Sequence, residues 1–280
     1  MDDILRTQGA ISDSCNSSIA KISNNMDLRL NTPTYILEQE FKKHPYNLRV
    51  GHLNTVSIPK HHEELQRIVG MFDIFGASET FIKNGTPQSL YSFEGYKFYG
   101  NNRTTTTFGG VGLYINEQIP SKRINVKFNL AQPEMVFVEC RFRKTVILVG
   151  VIYRSDAYSY KVYSEIIETL AFFTTKYSNV ILLGDYKINF MKPNSSETRF
   201  FKEQILDPLN LVQIINKPTR ITATSQTLID LIIVNNYNQS CVKNSGVVDF
   251  AGVSDHNLTF LSYSVSRPKY KPKIIKKKGF

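Results

Sequence analysis

Polar residues with catalytic potential stand at the ends of the most apolar runs of this sequence. Asn54 closes Leu48 to Asn54, Glu79 follows Ile74 to Ser78, and Tyr153-Arg154 ends the run from Val146. Asn179 to Leu183 ends on Gly184-Asp185, Asp230 lies in Thr227 to Val234, and Asp255-His256 precedes Asn257 to Val265. A carboxylate buried alone is costly, so such groups should share a cleft, a metal or a basic partner. Glu79 with Asn54 or Asp185 offers hard oxygen ligands suited to Mg²⁺. His256 has no second histidine at ligand spacing, which argues against zinc. Beside Asp255, and with Asp230 on a neighbouring strand, it reads instead as an imidazole oriented by a carboxylate and kept protonated beside a phosphate. A metal on a phosphoryl oxygen, an Asp that orients water and a histidine facing the developing charge make a phosphodiester hydrolase. Serine-hydrolase and nucleotide-loop chemistry lack their signatures: there is no G-x-S-x-G, no G-x-x-x-x-G-K-S/T, and Gly109-Gly110-Val111-Gly112 is not G-x-G-x-x-G.

Strands and helices alternate between Tyr46 and about Val265 to position these groups. Leu65, Ile68, Val69 and Phe72 recur at helical spacing, as do Tyr163, Ile166, Ile167, Leu170 and Phe173. A third helix, capped by Ser195 or Ser196, carries Phe201, Ile205 and Leu209. Met135 to Phe142 alternates as a half-buried strand does, whereas Val146 to Tyr153 is apolar nearly throughout, as in a strand covered on both faces. Further strands are expected at Gly95 to Tyr99, Val111 to Ile115 and Leu211 to Ile215. About ten strands with three main helices exceed one simple doubly wound sheet. They predict an α/β fold of two packed mixed β-sheets with helices on the outside.

Composition bounds the reading. The 280 residues carry 34 Lys and Arg against 24 Asp and Glu, a net charge of 34 − 24 = +10. Seven of these charges fall in the last fourteen residues, so the other 266 carry 10 − 7 = +3. Such a tail suits phosphate tracking, a nuclear localisation signal or a solvated linker. Three domains follow: a polar N-terminal appendage over 1–45 with one amphipathic stretch from Ile19 to Leu30, a folded unit over 46–265, and a basic tail over 266–280. No apolar run reaches the length of a membrane span, so no membrane partner is expected. Met1-Asp2-Asp3 does not open a secretory signal. Cys15, Cys140 and Cys241 are too scattered for a disulfide framework. An intracellular, nuclear and not secreted protein is expected. The five sequons at Asn16, Asn102, Asn194, Asn238 and Asn257 are expected to be unused.

In order, His52-Leu53-Asn54, Ser78-Glu79-Thr80, Gly109-Gly110-Val111, Gly150-Val151-Ile152-Tyr153-Arg154, Leu183-Gly184-Asp185, Pro218-Thr219-Arg220, Thr227-Leu228-Ile229-Asp230 and Ser254-Asp255-His256 resemble the endonuclease/exonuclease/phosphatase superfamily. More narrowly, they are similar to the apurinic-endonuclease-like domain of non-LTR (LINE-type) retrotransposons. The resemblance covers about residues 46 to 265 and implies a four-layer α/β sandwich. It also implies a Mg²⁺-dependent endonuclease, with Mn²⁺ as a substitute ion, that nicks DNA as a monomer without a small-molecule cofactor. Glu79 is then the metal-binding glutamate, assisted by Asn54, with Asp255 near the metal. Asp185 orients or activates the attacking water, Tyr153 contacts the scissile phosphate, and His256, oriented by Asp230, stabilises it. Arg154 and Thr227 fall at the substrate. Loops such as Asn101 to Thr107 and Asn216 to Gln226 would read the DNA.

One catalytic position departs from the family pattern. Gly-Asp-Phe-Asn is here Gly184-Asp185-Tyr186-Lys187. An ammonium at the family's carboxamide pairs with Asp185 and repels Mg²⁺, so the site is expected to be assembled but weakened. Three alternatives stay open: Lys187 swings to solvent or contacts the phosphate, leaving partial activity; the chain is a non-catalytic DNA- or phosphate-binding domain; or it is a phosphatase of small phosphoesters within the same superfamily.

Overall fold

The computed structural model describes residues 32–101, 108–126, 133–250 and 252–268. The stretch Ile19 to Leu30, the loop residues 102–107, Cys15, the sequons at Asn16 and Asn102, and the tail from residue 269 lie outside the described residues.

The chain runs α1 (Pro33–Lys42), β1 (Asn47–Asn54), α2 (His62–Val69), β2 (Ile74–Ser78), β3 (Tyr96–Asn101), β4 (Val111–Asn116), β5 (Ser121–Ile124), β6 (Glu134–Phe142) and β7 (Thr145–Tyr153). A 3₁₀ segment, Tyr160–Ile166, leads into α3 (Ile167–Lys176) and β8 (Val180–Asp185). There follow α4 (Ser196–Phe201), β9 (Leu211–Gln213), β10 (Arg220–Ile221), β11 (Gln226–Thr227), β12 (Asp230–Asn235), β13 (Val242–Val248) and β14 (Leu258–Ser266). One six-stranded sheet has the order β13-β14-β1-β2-β4-β3 and the other β5-β6-β7-β8-β12-β9, with β10 and β11 as a separate ribbon. These are the two mixed sheets with helices that the apolar runs predict.

Each sheet is antiparallel except at one central pair, β1 with β2 and β7 with β8. Parallel neighbours need a crossover. The segment with α2 supplies one, and the 3₁₀ turn with α3 the other. Both pairs therefore end side by side, Asn54 opposite Ser78 and Tyr153 opposite Asp185. Four strand ends thus deliver the polar groups singled out by type.

The inner faces bury Val50, Ile74, Leu113, Val149, Val151 and Leu183, and the same core continues beneath α3 and α4. At Gly76 the sheets approach so closely that a Cβ would stand 2.6 Å from Val151 Cγ2 and 3.0 Å from Leu183 Cδ1. A second cluster covers the outer face of the first sheet, where α2 buries Leu65, Ile68 and Val69. The described part of residues 1–45 joins this cluster: Thr32 caps α1, whose Phe41 meets Phe72 and Phe260 edge-on at 5.6 and 5.8 Å. At the far end, Arg267 is tied to the body by an ion pair with Asp73 at 2.9 Å.

Three expected elements differ. In the third expected helix, α4 ends at Phe201, a π-helical segment, Lys202–Leu206, carries Ile205, and Leu209 lies beyond it. The strand Thr227 to Val234 is broken, because side chains take over its backbone donors. Asn189 Oδ1 accepts from Leu228 N at 3.1 Å, and Thr219 Oγ1 accepts from Ile229 N and Asp230 N at 3.1 and 2.9 Å. Asp230 consequently begins β12 rather than ending a strand. The second expected helix is 3₁₀ over Tyr160–Ile166 and α-helical only from Ile167.

Candidate active site

Asp185 is fully buried, and its carboxylate is the point where both sheets meet. Asn54 Nδ2 donates across from β1 to Asp185 Oδ2 at 2.9 Å and to Glu79 Oε1 at 2.8 Å. Glu79 turns toward them on a left-handed backbone, φ +50°. Gly184, beside Asp185 on β8, leaves no room for a side chain against β7: with φ +150°, any Cβ there would lie 1.8 Å from Ile152 O.

On the other side, His256 Nδ1 lies 2.8 Å from Asp230 Oδ2, and its Nε2 points toward Asp185 Oδ2 at 4.0 Å. Thr219 fixes this arrangement. Its hydroxyl accepts the Asp230 amide and its carbonyl accepts the Asn257 amide at 2.6 Å, so the segments carrying Asp230 and His256 hang on one residue. Burial disfavours a charged imidazole, but the Asp230 carboxylate outweighs it and raises the His256 pKa to about 9. The ring is therefore protonated at neutral pH. Asp185 is pushed up by burial and by the charge of Asp230, while Lys187 and His256 pull it back.

Lys187 does not swing to solvent. Its ammonium sits 2.9 Å from Asp185 Oδ2, 3.7 Å from Glu79 Oε1 and 3.7 Å from Asp156 Oδ2, with 8% of the side chain exposed. Its backbone is left-handed, φ +52°, a conformation that asparagine accepts more readily than lysine. Its amide donates to Asp185 Oδ1 at 3.1 Å. Burial opposes the ammonium, yet these carboxylates raise its pKa.

The other expected positions sort themselves by contact. Tyr153 ends β7 nearly buried, and burial and the nearby Glu79 charge raise its phenol pKa, so it stays protonated. Arg154, expected at the substrate, instead gives its guanidinium donors to the carbonyls of Tyr186 at 3.2 Å, Lys187 at 2.7 Å and Tyr158. It braces the turn that carries Lys187. Asp255, expected near the metal, is held by Arg220 at 2.7 Å, and its other oxygen is 3.9 Å from His256 Nε2. Thr227 lies on β11, its buried hydroxyl without a hydrogen-bond partner. Type and spacing did not single out Thr219, Asp156 or His52. The available signals were weak: Thr219 within Pro218-Thr219-Arg220, and a histidine inside an otherwise apolar strand for His52.

Two sets of groups could take a cation. Asp185, Asp230 and His256 bring ligand atoms within 4.8 Å of one another. A ring that is protonated and bonded to Asp230 repels a metal, so this trio is better described as a charge-paired histidine. Glu79 and Asp185, with Asp156 behind Lys187, present hard carboxylate oxygens whose chemistry fits Mg²⁺. An ion there must displace the ammonium that these oxygens already surround.

A scan against protein-family models finds no match for the chain, nor does a search of the curated proteins. Solved structures do match. The endonuclease domain of TRAS1, a telomere-specific non-LTR retrotransposon, aligns at TM-score 0.63 and 16% identity over 79% of this chain and 100% of that domain. An AP endonuclease from Leishmania major aligns at TM-score 0.63 and 12% identity over 80% of this chain and 89% of its own. The 3′ phosphatase NExo from Neisseria, bound to product DNA hairpin, aligns at TM-score 0.60 and 16% identity over 77% of this chain and 99% of its own. The α/β sandwich of this chain is the fold these nucleases share, as the motif resemblance implies.

Proposed function

We propose that this chain is a metal-dependent phosphodiester hydrolase that nicks DNA, of the kind carried by non-LTR retrotransposons, held in a weakened state by Lys187. The observation that carries the reading is the meeting at Asp185 Oδ2. Asn54 donates to it at 2.9 Å, and His256, anchored on Asp230 at 2.8 Å, faces it at 4.0 Å. His256 keeps a proton on Nε2 that faces the cleft, where a phosphate oxygen gains charge. The protonated Tyr153 donates to the same phosphate, and Asp185 orients the attacking water. Glu79 and Asp185, assisted by Asn54, would hold Mg²⁺ or Mn²⁺, which supplies charge neutralisation at the phosphoryl oxygen.

Lys187 limits this chemistry through lone pairs. A carboxylate oxygen offers about two acceptor directions. Asp185 Oδ2 already receives Asn54 and Lys187, and Oδ1 receives the Lys187 amide. Water and metal must compete with a tethered cation for the same oxygens. That observation also favours a second reading, a non-catalytic domain that binds DNA or phosphate. Plasmid nicking in Mg²⁺ separates the two. Slow nicking that Lys187→Asn accelerates and Glu79→Ala abolishes supports the hydrolase. Absence of nicking in both the unmodified chain and Lys187→Asn overturns it.

The basic tail would add phosphate contacts. Because Arg267 is engaged with Asp73, the deletion that tests this begins at residue 269. The salt dependence of DNA affinity should flatten by about 0.9 per lost contact in log-log slope.

A further inference from the structure

His52 lies on β1 directly behind Asp230, fully buried. Its Nε2 is 3.1 Å from Ser78 Oγ, while its Nδ1 has no hydrogen-bond partner. The atom facing Nδ1, at 3.9 Å, is Asp230 Oδ1, which likewise has none. The other oxygen of the same carboxylate holds His256. Two buried polar atoms thus face each other unpaired, on the residue that orients the phosphate-facing histidine. The ring is fully buried, and burial disfavours a charged imidazole, so it carries one proton and one lone pair. With the proton on Nε2, Nδ1 and Oδ1 present lone pairs to each other. With Ser78 Oγ–H donating to Nε2, the proton is on Nδ1 and both atoms are satisfied by a closure of about 1 Å.

We infer that His52 is a positioning residue: its Nδ1–H donates to Asp230 Oδ1, and this holds Oδ2 on His256. The consequence is a line of hydrogen bonds, Ser78 to His52 to Asp230 to His256, that reaches from the end of β2 to the phosphate side of the cleft. It deepens the hydrolase reading and, for its effect on rate, rests on it.

The test compares His52→Phe, which fills the space without a donor, with His52→Asn, whose amide nitrogen can stand where Nδ1 does. The first readout is the downfield Nδ1–H proton and the ¹⁵N shifts of His256, assigned by their loss in His256→Gln and recorded without DNA or metal. His52→Phe should move this resonance upfield or lose it to exchange, and His52→Asn should restore it. In nicking, His52→Phe should lower kcat about tenfold with KM unchanged, and His52→Asn should recover most of that loss. A folded His52→Phe with an unchanged His256 resonance overturns the inference, as does His52→Asn behaving like His52→Phe. Should His52→Phe fail to fold, Ser78→Ala decides: a shift of the same resonance supports the relay, and no shift overturns it. A chain that never nicks sinks the hydrolase reading, whereas the resonance judges His52 alone.

Discussion

Asp230 with His256 and Asn54 with Glu79 and Asp185 occupy the same edge of the two sheets, yet their charges are balanced differently. The first half is balanced internally, by one carboxylate and one imidazolium at 2.8 Å. The second has two carboxylates, with a third from Asp156, and Lys187 from its own turn offsets one of these charges. Buried carboxylates must be compensated, and a divalent ion is one way to do it. A lysine is another, available before any ligand arrives. A single side chain therefore stands among the oxygens of one half and leaves the other half's ion pair intact.

The largest effect should come from breaking the intact half. Asp230→Asn removes the partner that orients and charges His256, so initial nicking rates should fall by about 10²–10⁴-fold; a loss under tenfold would mean that half is not at work. Next, Lys187→Asn should raise Mg²⁺-dependent nicking about a hundredfold. The same variant should have a lower Tm in chelator, and Mg²⁺ should raise that Tm while leaving the unmodified chain nearly unchanged. Equal Mg²⁺ responses would contradict the internal-cation account.

A pH series separates the halves by stability. His256 titrates at about 9 when folded against 6.5 unfolded, so its contribution is complete below pH 6.5 and is lost as pH rises through 9. Urea titrations at pH 6.5 and 9.5 should differ by about 3 kcal/mol, and His256→Gln should flatten this limb. His52 acts on the other side: its folded pKa is lowered to about 3, so stability is lost as pH falls below 6.5. Stability from the two histidines should peak near pH 6.5. The smallest effect is expected from Arg220→Ala, which removes a pair with both side chains 40% exposed. Denaturation should report a loss below about 1 kcal/mol, and a larger loss would return Asp255 to the centre of the site.

Legibility from sequence followed burial. Val146 to Tyr153 and Asn179 to Leu183 read plainly as strands because both of their faces are covered. Asn54, Glu79, Asp185 and His256 stood out because polar groups beside such runs are conspicuous. The edge strand β13 did not, since VKNSGVV neither alternates nor stays apolar. The contacts of Arg154 and Thr219 are not legible, because their partners are backbone groups of distant segments, which residue type does not encode. Lys187 was visible as a departure, but its destination depends on a left-handed turn and on Asp156 across the cleft.

The hydrogen bond from Asn54 to Asp185 joins residues 131 apart in the chain and crosses from one sheet to the other. It can close only after two separately paired sheets have docked, and contacts of such long range carry a loop-closure cost that slows folding. The cleft is therefore expected to be among the last parts of the molecule to form during refolding. Recovery of the Asn54 and Asp185 environment would then time the docking of the sheets, independently of whether a phosphate is ever cut.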